Sequence, residues 1–305
     1  MDIIVIITEF KHKLKAIGYA DTTIKSYVYN LNWFIKHLKE KSITDVRKVN
    51  HQTILDYQEM VMKKPYAQES KALRLRPVKR LFEHLVNTHK LLINPTDTII
   101  ETNRKNRKIG PVLTMEEINL LMQQPNLSLK PHIRNRAIME MLYSTGIRIN
   151  ELVNLEVYHV ELQEKMLYIR KGKGRKQRVV PLGKNTLQYL KEYLEHIRPW
   201  WTRTNKKERI LFLNHSGKPL TGSSVRGFLR EYRISAGIKK TVSPHTLRRT
   251  CASHLLQQGA DIVYIKELLG HARLTTTQFY TKVTPVDIKK SHNKAHPGIK
   301  DNVDK

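Results

Sequence analysis

Ser243-Pro244-His245-Thr246-Leu247-Arg248-Arg249-Thr250 is the stretch on which the reading of this chain turns. A serine able to accept backbone N–H bonds, followed at once by proline, opens a helix at Ser243. His245 and Arg248 stand three residues apart, so they share one face near the helix's positive end. Leu247, Cys251 and Leu255 supply the buried stripe, and Gly259 closes the helix. A histidine and an arginine side by side at a helix N-terminus make a cradle for a phosphate. One such motif is weak evidence, so its meaning depends on what accompanies it.

Three further segments accompany it. Downstream, Asp261 starts a helix whose Ile262, Ile265 and Leu269 are apolar, and Gly270 stops it with His271 just beyond. Thr275 with Gln278 forms a capping box that places Tyr280 in a short helix. The chain has 13 tyrosines, and Tyr280 stands out only through these neighbours. Upstream lies Thr145-Gly146-Ile147-Arg148-Ile149-Asn150-Glu151-Leu152. Gly146 ends one helix, and Arg148 opens the next, where backbone N–H groups already favour an anion. Arginine suits that place because its planar fork binds two phosphate oxygens and never loses its charge. Taken alone, Arg148 reads more readily as a surface salt-bridge residue. Between these segments, Met166 to Arg170 and Arg178 to Leu182 read as strands flanking the turn Arg170-Lys171-Gly172-Lys173-Gly174-Arg175-Lys176. Two glycines let that turn approach another backbone closely, with Lys173 at its tip. In isolation a generic basic turn is the plainer reading.

Occurring together and in this order, GIRINEL, the Gly-Lys-Gly hairpin, HTLRR, LLGH and the downstream Tyr280 resemble the signature of the tyrosine recombinases, or phage integrase family. The tail from Tyr280-Thr281-Lys282-Val283 to Asn293-Lys294-Ala295-His296-Pro297 is similar to Xer-type members. The resemblance covers residues 111 to 298 or so, and no departure appears at its six matching positions. It implies a mainly α fold with a small β-sheet or hairpin in the catalytic domain, arranged as a two-domain DNA clamp. By the same resemblance Tyr280 is the nucleophile, Arg148 and Arg248 hold the scissile phosphate, and Lys173 is the general acid. His245 aids proton transfer, His271 hydrogen-bonds the phosphate, and Glu151 buttresses Arg148. The implied substrate is a pair of double-stranded DNA recombination sites. Cleavage would pass through a 3′-phosphotyrosyl intermediate and a Holliday junction. The implied assembly is a homo-tetramer, or a hetero-tetramer with a related recombinase, with Ile288 to Lys305 either docking on a neighbour or forming a frayed tail. The implied location is the bacterial cytoplasm, at the nucleoid. The rival readings are strand relaxation by a type IB topoisomerase-like enzyme, a non-catalytic DNA-binding protein of the same fold, and a metal-dependent nuclease.

Those residue types suit the reaction. A phenol with pKa near 10 is only about a thousandth ionised at neutral pH, so it needs help to attack. Two arginines offset charge building on the non-bridging oxygens, and donors of this kind contribute about 3 kcal/mol each. A 5′ oxygen leaves poorly unless it is protonated, which is work for Lys173. The arginines take the place of a metal ion, and the phosphotyrosyl bond conserves the energy of the cut strand. No cofactor is expected. The sequence offers no carboxylate cluster, no cysteine–histidine spacing for a metal, and no Walker-type loop.

Composition agrees. The chain has 305 residues, 40% of them hydrophobic and 27% charged, which suits about two globular domains. Lys and Arg number 55 against 27 acidic residues, a net charge of +28 that calls for a polyanionic partner, nucleic acid before a membrane surface. Ile3-Ile4-Val5-Ile6-Ile7 is too short to span a bilayer and lacks the flanks of a signal peptide. The single cysteine, Cys251, excludes an internal disulfide, so a soluble intracellular protein is expected.

Residues 1–98 are expected to form a helical core-binding domain of the SAM-like kind, 99–110 a basic linker and 111–305 the catalytic domain with its tail. In the first domain, Ile24, Tyr27, Val28, Leu31, Phe34, Ile35 and Leu38 mark one helix face, with Asp21 as its cap. Gln52 to Met62 and Gln68 to His89 are the next helices. The latter turns Leu73, Val78, Leu81, Phe82 and Leu85 inward and Lys71, Arg74, Arg76, Lys79 and Arg80 outward, with Pro77 a candidate kink. These helices begin near Met1, so no arm-binding domain is expected. In the second domain, Thr114 with Glu117 forms a capping box, and helices cover Ile133 to Leu142 and Thr186 to Ile197.

Overall fold

Apolar residues at helical spacing build the first of two units, which lies within Met1–Arg107; the second lies within Lys108–Lys305. The structure, a computed structural model, describes residues 1–97, 99, 110–169 and 177–270. Helix α1 (Ile3–Ala16) starts where the Asp2 carboxylate accepts the N–H of Ile4 at 2.6 Å. The Ile3–Ile7 run is thus the first turns of an amphipathic helix. Ile3, Ile6, Ile7, Phe10 and Leu14 face inward, and Ile4 and Val5 face solvent. Helices α2 (Asp21–Glu40), α3 (His51–Lys63) and α4 (Gln68–Asn87) complete the unit. Phe34 sits edge-on to both Tyr57 and Phe82, with ring centroids 5.0 and 6.0 Å apart, at the centre of the core.

Three expectations for this unit are corrected. Asp21 is the first helical residue of α2 rather than its cap, a place Ala20 takes without a side-chain bond. Its carboxylate stands instead inside the positive end of the helix dipole. In α4 it is Leu75, not Leu73, that completes the buried stripe with Val78, Leu81, Phe82 and Leu85; Leu73 is 48% exposed. Arg74 does not point out either, since its guanidinium lies 4.1 Å from the Trp33 ring and 4.6 Å from the Tyr66 ring. The helix runs on through Pro77.

The second unit is mixed. Thr114 and Glu117 cap α5 (Met115–Gln123) reciprocally, and α6 (Lys130–Thr145) is the central helix, packed against two later ones. After the single turn α7 (Ile149–Leu152), strands β1 (Val160–Glu161), β2 (Met166–Ile169) and β3 (Arg178–Pro181) form an antiparallel sheet in that order. Pairing of Ile169 with Arg178 and of Met166 with Pro181 sets the hairpin register, while β1, only two residues long, carried no sequence signal. Helix α8 (Lys184–Glu192) passes into a wider π turn at Tyr193–Ile197 and then α9 (Arg198–Thr202). Helices α10 (Gly222–Ser235), α11 (Pro244–Gln257) and α12 (Ile262–Leu269) finish the described chain. Their starts at Ser243 and Asp261 are capped as the sequence indicates. The linker region 101–109, the turn 170–176 and everything from His271 onward lie outside the described residues. No described helix is long and apolar enough to cross a membrane.

Candidate active site

The end of α6 is shaped by one threonine. Thr145 donates its hydroxyl to the Met141 carbonyl at 2.6 Å and accepts the Ile147 N–H at 3.2 Å, turning the chain out of the helix. Gly146 follows with φ +57°, and a Cβ there would lie 2.5 Å from the Leu269 side chain. Glycine therefore permits both the turn and the close approach of α12.

That turn delivers Arg148 to the head of α7. Its N–H donates to Glu151 Oε2 at 3.0 Å, and its guanidinium donates through Nη1 to Glu151 Oε1 at 2.9 Å and through Nη2 to the Gly270 carbonyl at 2.7 Å. Arg248, on the first turns of α11, is 5% exposed. Its Nη2 donates to the Leu269 carbonyl at 2.5 Å and its Nη1 to the Gly146 carbonyl. Two guanidiniums a hundred residues apart in sequence thus converge on consecutive carbonyls at the C-terminal end of α12. That end carries the negative pole of the helix, so it attracts them as an anion would.

His245 shares this field. Its outer edge meets solvent, yet packing removes part of its hydration, and this lost hydration is the chief cause of a pKa below the ordinary imidazole value. The positive charges of Arg248, Arg249, Arg148 and Arg226 act in the same direction. The shift favours the neutral ring, and a phosphate placed among the arginines would oppose it.

Glu151 is the buried counter-ion, with its side chain 4% exposed. Burial pushes its carboxyl upward, but Arg178 and then Arg148 outweigh that and hold it below the usual range. Arg178 was missed in the sequence. The signal was there: alternation along β3 puts it on the same face as buried Val180, an arginine directed inward. Of the seven residues singled out from the sequence, the structure brings together Arg148, Glu151, His245 and Arg248. Lys173, His271 and Tyr280 lie outside the described residues. Among the described residues, no three His, Cys, Asp or Glu side chains are grouped as a metal ion would need.

Comparison with known proteins identifies the family. Residues 111–286 match the model of the phage integrase family, and residues 7–89 match that of the phage integrase N-terminal SAM-like domain. The chain belongs to the phage integrase family, the tyrosine recombinases. Within it the likeness is to the Xer type. Tyrosine recombinase XerD of Listeria innocua is 34% identical over 282 residues, 92% of this chain and 94% of that protein. The crystal structure of XerA recombinase aligns at 26% identity with a TM-score of 0.54, covering 96% of this chain and 98% of that one. In fold the chain also matches the XerH site-specific recombinase bound to palindromic difH substrate, a post-cleavage complex, at 22% identity and a TM-score of 0.73. That match covers 88% of this chain and 79% of the other.

Proposed function

We propose that this tyrosine-type site-specific recombinase cuts and rejoins double-stranded DNA at recombination sites through Tyr280. The Tyr280 oxygen attacks the scissile phosphorus and forms a 3′-phosphotyrosyl bond. The bond from phosphorus to the 5′ oxygen breaks, and that oxygen leaves with a proton from Lys173. Arg148 and Arg248 hold the non-bridging oxygens. His271 hydrogen-bonds the same phosphate, and His245 aids transfer of the phenolic proton. Attack by a 5′ hydroxyl of the partner duplex reverses each step, so a Holliday junction forms and resolves without metal or ATP. The observation that carries this reading is the convergence of Arg148 and Arg248 on adjacent carbonyls of Leu269 and Gly270. Residues 1–98 serve as the core-binding domain, 99–110 as a basic linker following the phosphates and 111–305 as the catalytic domain. The net charge of +28 supports contacts with many phosphates and a steep loss of affinity with salt. Four copies, or two with two of a related recombinase, act on two DNA sites in the bacterial cytoplasm.

The test is covalent capture. Nicked duplexes of randomised sequence are incubated with the protein, and SDS-resistant adducts are recovered and amplified. The wild-type chain is expected to enrich one duplex and to form an adduct that maps to Tyr280. Tyr280→Phe is expected to bind that duplex with unchanged affinity and give no adduct. An adduct formed by Tyr280→Phe removes the assignment of the nucleophile.

A further inference from the structure

Arg178 begins β3, separated only by Gln177 from residues 170–176, Lys173 among them, which lie outside the described residues. Its side chain is 10% exposed, and its guanidinium bonds two distant segments at once. Nη1 and Nη2 donate to Glu151 Oε1 and Oε2 at 3.1 and 2.7 Å, and Nε donates to the Leu268 carbonyl at 3.0 Å. Gly270 leaves room for this, since a Cβ there would meet the Arg178 guanidinium carbon at 3.3 Å.

Two consequences follow from the charges and the bonds. A carboxylate as buried as Glu151 must be paired, and a single pairing with Arg148 would cancel that arginine's charge. With Arg178 occupying both oxygens, two cations share one anion, and a positive charge is left for a phosphate. The Nε bond also fixes the carbonyl just before those of Leu269 and Gly270, on which Arg248 and Arg148 converge. One side chain thus sets both the counter-ion and the carbonyl frame of the clamp.

We infer that Arg178 is a positioning residue for strand cleavage, holding Glu151 and the end of α12 so that Arg148 meets the scissile phosphate with its charge uncancelled. This rests on the reading of Arg148 as a phosphate ligand. The probe is the duplex enriched by wild-type adduct capture, cleaved in single turnover at saturating protein, with its affinity measured separately. Arg178→Gln is expected to slow cleavage about thirtyfold while the Kd stays within about threefold, the split expected when transition-state rather than uniform binding is lost. Arg178→Lys, which keeps the charge but not the fork, falls between the two. In a Glu151→Gln background Arg178→Gln costs less than about threefold, because the group through which it acts has changed. Equal cleavage by Arg178→Gln and wild type overturns the inference, as does the same loss in both backgrounds. If Arg178→Gln melts below the assay temperature, Arg178→Lys is carried through the same two backgrounds with the same criteria. Failure of the underlying reading looks different: the wild type gives no adduct, or Arg148→Ala cleaves as fast as the wild type.

Discussion

The two units treat buried polar groups in opposite ways. Among the described residues of the first, the buried polar side chains are Asn30, His37, Thr53 and Thr96, and no Lys, Arg, Asp or Glu is fully buried. The second buries Arg134, Glu140, Glu151 and Arg248. These charges are well bonded: Arg134 donates to the Leu213 carbonyl at 2.8 Å and to Asn135, and Glu140 pairs with Arg136 at 2.9 Å. The first unit, by contrast, leaves His37 Nε2, the Tyr57 hydroxyl, Gln58 Oε1, and Arg74 Nε and Nη1 buried without a hydrogen-bond partner among the described residues. In the second only Arg249 Nε does so. Burying a charge costs several kcal/mol, so it persists where it fixes a geometry that apolar packing cannot. The first unit is held by ring and aliphatic packing that tolerates loose polar ends. The second is held, around α7, α11 and α12, by directed bonds.

The sharpest way to break this contrast is a cavity in the first core. Phe82→Ala removes a ring packed edge-on against Phe34 and is expected to cost about 3–5 kcal/mol. Hydrogen exchange should show the loss in amides of α2 and α4, with amides of α6 and α11 protected as before. Equal loss in both units would mean that they unfold together and that the contrast has no energetic content. Next in size is Arg248→Ala, expected to slow cleavage about a hundredfold to a thousandfold, roughly 3–4 kcal/mol. Exchange should also rise near Gly146 and Leu269, whose carbonyls Arg248 holds, and not in the first unit. A loss of about tenfold or less would make the buried arginine a structural post rather than a phosphate ligand.

The sequence displayed the parts of this molecule that depend on local rules. The caps at Thr114, Ser243 and Asp261, the glycine stops at Gly146 and Gly270 and the hairpin of β2 and β3 each follow from neighbouring residues, and each is found. Arg148, Glu151, His245 and Arg248, which the structure brings together, stand in motifs whose order resembles one family. What escaped depends on distant partners. Leu73 and Leu75 are both apolar, and only packing against other helices decides which is buried. Arg74 reads as a surface charge until Trp33 and Tyr66 enclose it. Arg178 gains its meaning from Glu151 and Leu268, 27 and 90 residues away. The π turn at Tyr193–Ile197 lies within a stretch whose periodicity reads as an uninterrupted α-helix.

The smallest expected effect tests whether the loose ends of the first unit are truly loose. Tyr57 is fully enclosed, 5.0 Å from Phe34 and 5.5 Å from His37 by ring centroid, and its hydroxyl has no partner among the described residues. Burial pushes its pKa well above that of a free phenol, with the Arg74 charge opposing the shift only in part. Tyr57→Phe keeps the ring and removes an unsatisfied group, so it should be neutral or stabilise the first unit by up to about 1 kcal/mol at neutral pH. The difference should widen in alkali. The unfolded phenol ionises near pH 10 while the folded one stays protonated, so the wild type loses stability as pH rises past that point and the phenylalanine variant does not. Burial also pushes Tyr193 up, to about 12, so the second unit keeps its own alkaline decline in both proteins. Trp33 is the only tryptophan of the first unit, and in a Trp200→Phe, Trp201→Phe background its fluorescence follows that unit alone through a denaturant titration. A loss of more than about 1 kcal/mol at pH 7 would mean that the hydroxyl does have a partner, and that the first unit is as strictly bonded as the second.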